Sequence, residues 1–263
     1  MGLNNVRLVA FSPTGTTKQV LAAIAEGLGA ASVAWLDLTP PAADGLDPVT
    51  LTDDVVVIGA PVYAGRIPET AMARLQAVRG EATPAVLVAV YGNRAFEDAL
   101  LELADWVGAA GFISIAGAAF IGEHSYDTDA TPIATGRPDA ADREKAVAFG
   151  AAVAARLAAS ERLKQVAMPG GRPYRERHHG EPIAPVTLPE RCTLCGLCED
   201  ACPTAAITVG EDVVTEAGAC IRCCACVKVC PTGARVMTDA RILRTARWLA
   251  REHGARKEPE VFL

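Results

Sequence analysis

The first 191 residues contain no cysteine; all nine lie between positions 192 and 230. A disulfide scaffold spread through the chain is therefore excluded, and the odd count argues against one in the clustered region as well. Histidine is also scarce, with four in 263 residues, which leaves few candidates for proton transfer near neutral pH. No apolar run is convincing as a membrane span. The longest, "WVGAAGFISIAGAAFIG", is seventeen residues with four glycines. The N-terminus lacks a cationic stretch followed by an apolar one, so no secretory signal is expected, and a cytoplasmic protein without membrane insertion is. There is no excess of basic charge: the net charge is −6, which gives no footprint for nucleic acid. No G-x4-G-K-[ST] and no G-x-G-x-x-G occurs, so the usual nucleotide and nicotinamide loops are missing.

The charge is uneven. Residues 1–160 carry 10 Lys and Arg against 18 Asp and Glu, whereas residues 161–263 carry 15 against 13. That asymmetry suggests two modules. In the first, short apolar runs alternate with helical patterns. Strands are expected at 4–12, 31–39, 53–61, 84–92 and 112–120, and helices at 16–29, 68–78, 94–111 and 142–160. The strands are apolar throughout rather than alternating, so both sheet faces should be buried. The expectation is a doubly wound, five-stranded parallel α/β sheet, followed by a second, small α+β domain. Residues 161–186, with "MPGGRPYRERHHGEP", read as a solvated linker.

Residues 187–238 contain an internal repeat. "CTLCGLCEDACPTAAI" (192–207) recurs as "CIRCCACVKVCPTGAR" (220–235) at an offset of 28. Each copy holds Cys-x2-Cys-x2-Cys-x3-Cys-Pro, a frame that suits iron–sulfur clusters. Zinc needs four ligands, usually in two separated pairs, and fits eight cysteines in this frame poorly. Cys224 lies outside the frame and aligns with Gly196, so it reads as a small residue in a tight loop. The remaining residues, 239–263, carry an amphipathic pattern with Ile242, Ala246 and Leu249 on one face and Arg244, Arg247 and Arg251 on another. A helix packed on its own protein is expected.

The segment 187–238 resembles a bacterial two-cluster ferredoxin. That resemblance implies two [4Fe–4S] clusters with crossed ligation. Cys192, Cys195, Cys198 and Cys230 would hold one, and Cys220, Cys223, Cys226 and Cys202 the other.

The loop "FSPTGTTK" (11–18) falls between the first strand and first helix. Ser12, Thr14, Thr16 and Thr17 offer hydroxyls, Gly15 permits a tight turn, and the helix N-terminus favours an anion. In this position residues 4–160 resemble flavodoxins, whose loop of this form holds the FMN phosphate. By that resemblance the flavin lies beyond the carboxyl ends of the strands. It would be bordered by Pro61, Val62, Tyr63, Ala64 and Gly65 after the third strand and Tyr91, Gly92 and Asn93 after the fourth. Tyr63 and Tyr91 would lie against the ring, Gly65 would turn its peptide toward it, and Asn93 would meet its polar edge. Arg66 and Arg94 would sit near a reduced flavin or on the surface. These loops hold no Trp. After the fifth strand, His124 and Tyr126 are the candidate proton donors.

An FMN carries one or two electrons and a cubane one, so the combination reads as an electron-transfer protein serving an external redox partner protein. The rival is an FMN-dependent reductase of a small molecule, fed by its own clusters and marked by a substrate-sized pocket over the flavin. A third reading makes Cys224 a redox sensor.

Overall fold

The computed structural model describes residues 3–159, 164–177 and 180–263. Strands β1 (Asn5–Ala10), β2 (Ser32–Asp37), β3 (Val55–Pro61), β4 (Thr83–Tyr91) and β5 (Phe112–Ile121) alternate with helices α1 (Thr16–Leu28), α2 (Glu69–Leu75), α3 (Ala99–Ala109) and α4 (Ala140–Ala159). The strands are parallel in the order β2-β1-β3-β4-β5, the flavodoxin-like arrangement with its switch point at β1 and β3. The continuous apolar runs have a direct cause. Val56 and Ile58 of β3 join one core with α2 and α3, while Val55 and Val57 join another with α1 and α4. Val55 through Ile58 are all 0% exposed. Burying each such side chain contributes about 1.5–3 kcal/mol.

The sheet has a sixth strand that the sequence reading did not include. β6 (Glu260–Phe262), at the end of the chain, pairs antiparallel with β5, Val261 opposite Ala118. Between α4 and β6 lies the cysteine-rich unit. It has two one-turn helices, α5 (Leu197–Asp200) and α6 (Ala225–Lys228), and a hairpin in which Ile207–Val209 pairs with Val213–Thr215. Val186–Thr187 pairs with Arg235–Val236 and brings its two ends together. Helix α7 (Ala240–His253) follows, capped by the Asp239 carboxylate, which accepts from the amides of Arg241 and Ile242. Its buried residues are Ile242, Ala246 and Leu249, the face the sequence pattern indicated. Among the described residues, no helix is long and apolar enough to cross a membrane.

The segment expected as a solvated tether is docked between Val166 and Arg177. Residues 161–163, 178 and 179 lie outside the described residues. Val166 N donates to Ser114 O (2.8 Å), and Met168 is buried in the α2/α3 core. Asp98 accepts from the amides of Gly171 (2.8 Å) and Arg175 (2.6 Å). Arg177 reaches Glu102 at 2.7 Å, and Arg66 lies 4.4 Å over the Tyr174 ring. The polar side chains that suggested solvation are instead partnered with the carboxylates of α3 and its N-terminal turn.

Candidate functional site

The turn after β1 is held by its own residues. Ser12 is buried. Its amide donates to Thr39 Oγ1 (2.8 Å), its Oγ accepts from Lys18 N (3.1 Å), and its carbonyl accepts from Gly15 N (3.1 Å). Gly15 caps α1 at φ +83°, a left-handed conformation that glycine adopts without strain, with nothing within 4 Å of where a Cβ would stand. The first amides of α1 have no intrahelical acceptor and lie at the positive end of the helix dipole. Thr14 and Thr16 face the cavity beyond them. Thr17 does not. It is fully buried under the helix beside Gly59, and its Oγ1 has no partner. Two of the four expected hydroxyls, those of Ser12 and Thr17, thus serve the turn and the core.

The cavity has a volume of about 470 Å³ and opens at the carboxyl ends of the central strands. Such a volume is in the range that cofactors occupy, roughly 300–1,000 Å³. Of the sequence-predicted residues, Thr14, Thr16, Pro61, Val62, Tyr63, Ala64, Tyr91, Gly92, His124 and Tyr126 line it. Tyr63 and Arg66 exchange backbone hydrogen bonds (2.9 and 3.1 Å) across Ala64 and Gly65, both at positive φ (51° and 86°). This is the tight turn of a hairpin. Gly65 itself packs against Glu97 and its carbonyl accepts from Asp98 N (3.0 Å), so it belongs to the turn rather than to the cavity wall. Arg66 is likewise turned away, paired with Glu102 at 2.8 Å, whereas Arg94 lines the cavity and pairs with Glu97 at 2.7 Å.

Asn93 was expected at the edge of a flavin. It is 1% exposed, and its Nδ2 donates to His253 O (2.5 Å) and Ala255 O (2.8 Å). It therefore ties the end of α7 to the loop after β4. Tyr91 is mostly core, edge-on to Phe96 at 5.6 Å, and burial pushes its phenol up to about 12. His124 Nδ1 accepts from Tyr126 N (3.0 Å). Burial, with Lys228 and Arg94 nearby, holds the imidazole down at about 4, so it is neutral near pH 7 with its remaining proton on Nε2. A neutral His124 donates a hydrogen bond; it does not enter the site as an imidazolium.

The far wall comes from a different part of the chain. Ile221 and Arg222, from the loop between Cys220 and Cys223, line the cavity together with Ile242, Thr245, Trp248 and Leu249 of α7. Trp248 is 42% exposed and meets His253 edge-on at 4.9 Å. The tryptophan missing from the strand-end loops is thus supplied by the C-terminal helix. The i, i+3, i+4 stripe of Thr245, Trp248 and Leu249 was the available signal for it.

The cysteines gather around two further cavities. One is lined by Cys192, Cys195, Cys198 and Cys230; the other by Cys202, Cys220, Cys223 and Cys226, with Cys224 beside them. Among the described residues, no two cysteines are joined by a disulfide. Among the described residues, no three His, Cys, Asp or Glu converge closely enough for a single metal ion. Cys202 Sγ accepts from Ala206 N (3.2 Å) and Cys220 Sγ from Arg222 N (3.4 Å). The two copies share their backbone: Leu194 and Arg222 stand at φ +53° and +57°, Gly196 and Cys224 at +81° and +57°. Cys224 therefore occupies a left-handed position that its counterpart fills with glycine. Burial pushes the Tyr63 and Tyr126 phenols up, Tyr126 to about 12, and Cys223 and Cys224 on the cluster side add to both shifts.

The profile of the 4Fe-4S binding domain family matches residues 185–208. A ferredoxin of Chlorobaculum thiosulfatiphilum is 46% identical over 37 residues, 14% of this chain and 61% of the ferredoxin. The chain joins a flavodoxin-like α/β unit to a 4Fe–4S ferredoxin module. This fusion spans about three fifths of the length of the curated ferredoxins it matches. Its other unit is similar to oxidised flavodoxin 2 of Bacillus cereus (16% identity, TM-score 0.43, covering 58% of this chain and 99% of that one). It is also similar to an archaeal flavodoxin (14%, TM-score 0.37, covering 59% and 99%). In the fusion it is the strand order that places this unit among flavodoxin-like sheets.

Proposed function

We propose that the fusion is an electron carrier that holds FMN in the strand-end cavity and one [4Fe–4S] cluster in each cysteine cage. It would relay electrons between FMN and an external redox protein. The observation that carries this reading is the shared wall. Ile221 lines both the strand-end cavity and the cage of Cys202, Cys220, Cys223 and Cys226, and Arg222 beside it faces the strand-end cavity. The residues fit an FMN. The turn at Gly15 leaves amides and the Thr14 and Thr16 hydroxyls for a phosphate, and Tyr63, Tyr126 and Trp248 offer ring faces. The cages fit cubanes, since four thiols surround each cavity without closing on one ion.

FMN would supply the exchange between paired and single electrons, and the clusters single-electron steps. The chain does the rest. The α1 amides orient the phosphate, α7 and Tyr126 limit water at the ring, and the amides of Ala206 and Arg222 stabilise negative charge on Cys202 and Cys220. The cage of Cys202, Cys220, Cys223 and Cys226 is the inner one. At the other, Cys195 is exposed and Leu194 and Leu197 are each 44% exposed, which suits the approach of a partner protein. Protein purified under argon should contain about eight iron, about eight acid-labile sulfide and one FMN. Stoichiometric zinc without flavin would overturn the proposal.

A further inference from the structure

The repeat is not symmetric in one respect that the cluster frame does not require. Position 207 in the first copy is Ile, buried in the small core beside Cys198 and Cys202; the position 28 later is Arg235. Arg235 is 2% exposed and lines both cysteine cavities. Its Nη1 donates to Thr187 Oγ1 (2.6 Å), and its Nη2 reaches Pro185 O (3.0 Å), Thr215 Oγ1 (3.0 Å) and Cys226 Sγ (3.8 Å). These partners are hydroxyls, a carbonyl and a sulfur, none of them a carboxylate. Its Nε is buried with no partner at all. A buried guanidinium without a counter-charge is strongly unfavourable, and arginine keeps its proton throughout the accessible pH range. Something anionic must therefore stand beside it in the working protein, and the cavities it borders are those of the thiolate cages.

We propose that Arg235 is the shared counter-cation of two iron–sulfur clusters, set between them and biasing both toward their reduced states. This rests on the two-cluster reading above. Four thiolates give each cluster a net negative charge, and reduction adds one electron to it. A fixed cation at low dielectric favours the more negative state, so it raises the reduction potential of each cluster it adjoins. Because Arg235 borders both cages, the one fixed charge raises both potentials, each independently of the electron on the other cluster.

The test uses the whole holoprotein, purified under argon, as wild type, R235K and R235Q. Iron and sulfide are assayed, and the clusters are titrated potentiometrically under paramagnetic resonance. Wild-type protein with iron for one cluster only would sink the two-cluster reading, whatever Arg235 does. With both clusters present, R235Q should shift both midpoints to more negative values, and R235K should stay close to wild type. Wild-type midpoints in fully loaded R235Q would overturn the proposal. So would equal shifts in the Gln and Lys variants, and a shift confined to one cluster would overturn the sharing. If R235Q takes up no iron while R235K loads fully, the charge is needed for assembly and the proposal stands. If neither loads, the shape of the side chain matters rather than its charge, and the proposal fails.

Discussion

Replacing Gly92 by alanine should weaken FMN binding while leaving the flavin-free fold nearly intact. Gly92 follows β4 and does not need a left-handed backbone, so the substitution strains no dihedral angle. A Cβ there would stand 2.2 Å from Cδ2 of His124 and 2.8 Å from its Cγ. Carbon atoms settle at about 3.5–4.0 Å, so the imidazole must retreat by more than about 1 Å. It is hydrogen-bonded by Tyr126 N and packed on the Tyr126 ring at 5.1 Å, and the open side is the strand-end cavity. Without flavin the ring can swing into that space at little expense. With flavin bound it must be pressed back, and overpacking of this kind costs about 1–3 kcal/mol. Because that strain falls on the bound state alone, FMN affinity should drop about 5- to 150-fold. The assay is titration of cluster-loaded, flavin-free protein with FMN, read by quenching of flavin fluorescence, alongside thermal unfolding of the flavin-free form. Wild-type FMN affinity in G92A would refute the placement of His124 on the flavin cavity. A large loss of flavin-free stability with unchanged affinity would refute the partition of the strain.

Three other perturbations separate parts of the structure. C202S should remove the cluster caged with the second-repeat cysteines and C230S the other, each leaving roughly half the iron; paramagnetic resonance spectra that are the same for both variants would contradict the crossed arrangement. Asp142, 0% exposed, forms a bidentate pair with Arg137, whose Nη1 also holds Lys257 O at 2.9 Å. D142N should cost about 3–5 kcal/mol by stranding a buried cation, seen as a large fall in thermal midpoint, and a shift worth under about 1 kcal/mol would show the pair is dispensable. His124 has its pKa held at about 4 against 6.5 when unfolded, so between these values the unfolded state binds more protons and stability falls as pH falls. At pH 5.5 the loss should be about 1.4 kcal/mol relative to pH 7.5. H124Q should show that much less decline in thermal midpoint, and an equal decline would place the imidazole in solvent.

What could be read from the sequence was what local pattern determines. Val55–Ile58 announces a strand buried on both faces because no polar side chain interrupts it. The 28-residue offset carried over even to backbone dihedrals, as Leu194 with Arg222 and Gly196 with Cys224 show. What was missed depends on distant pairing. Three residues, Glu260–Phe262, form a strand only because the β5 edge is open beside them. Asn93 looked like a ligand residue because the flavodoxin resemblance puts the loop after the fourth strand beside the flavin. Its amide instead answers two carbonyls some 160 residues away, at His253 and Ala255. Residues 161–186 looked like a tether because composition reports polarity but not which carboxylates will face it.

In the proposed relay, electrons would pass between two units that are held together rather than loosely tethered. A flexible tether would raise the local concentration of one unit about the other, and transfer would await their encounter. Here the contact is built in. Arg74, 3% exposed, donates to Pro203 O at 2.6 Å, directly after Cys202. Lys228 of α6 pairs with Glu123 at 2.6 Å, next to His124. Asn93 fixes the end of α7, and β6 stitches the chain end into the sheet. The ferredoxin module is thus anchored through its first repeat, its second repeat and the segment that follows it. The layer between the strand-end cavity and the inner cysteine cage is then a fixed one, made of Ile221, Arg222, Tyr63, Tyr126 and Cys224. Cys224 holds there a left-handed turn where the first repeat uses glycine, and it is 3% exposed. A side chain at that position fills space that glycine would leave open, and a filled layer would keep the separation between the proposed FMN and cluster sites constant. The outer cage has no such layer to maintain, and there the same turn is made by Gly196.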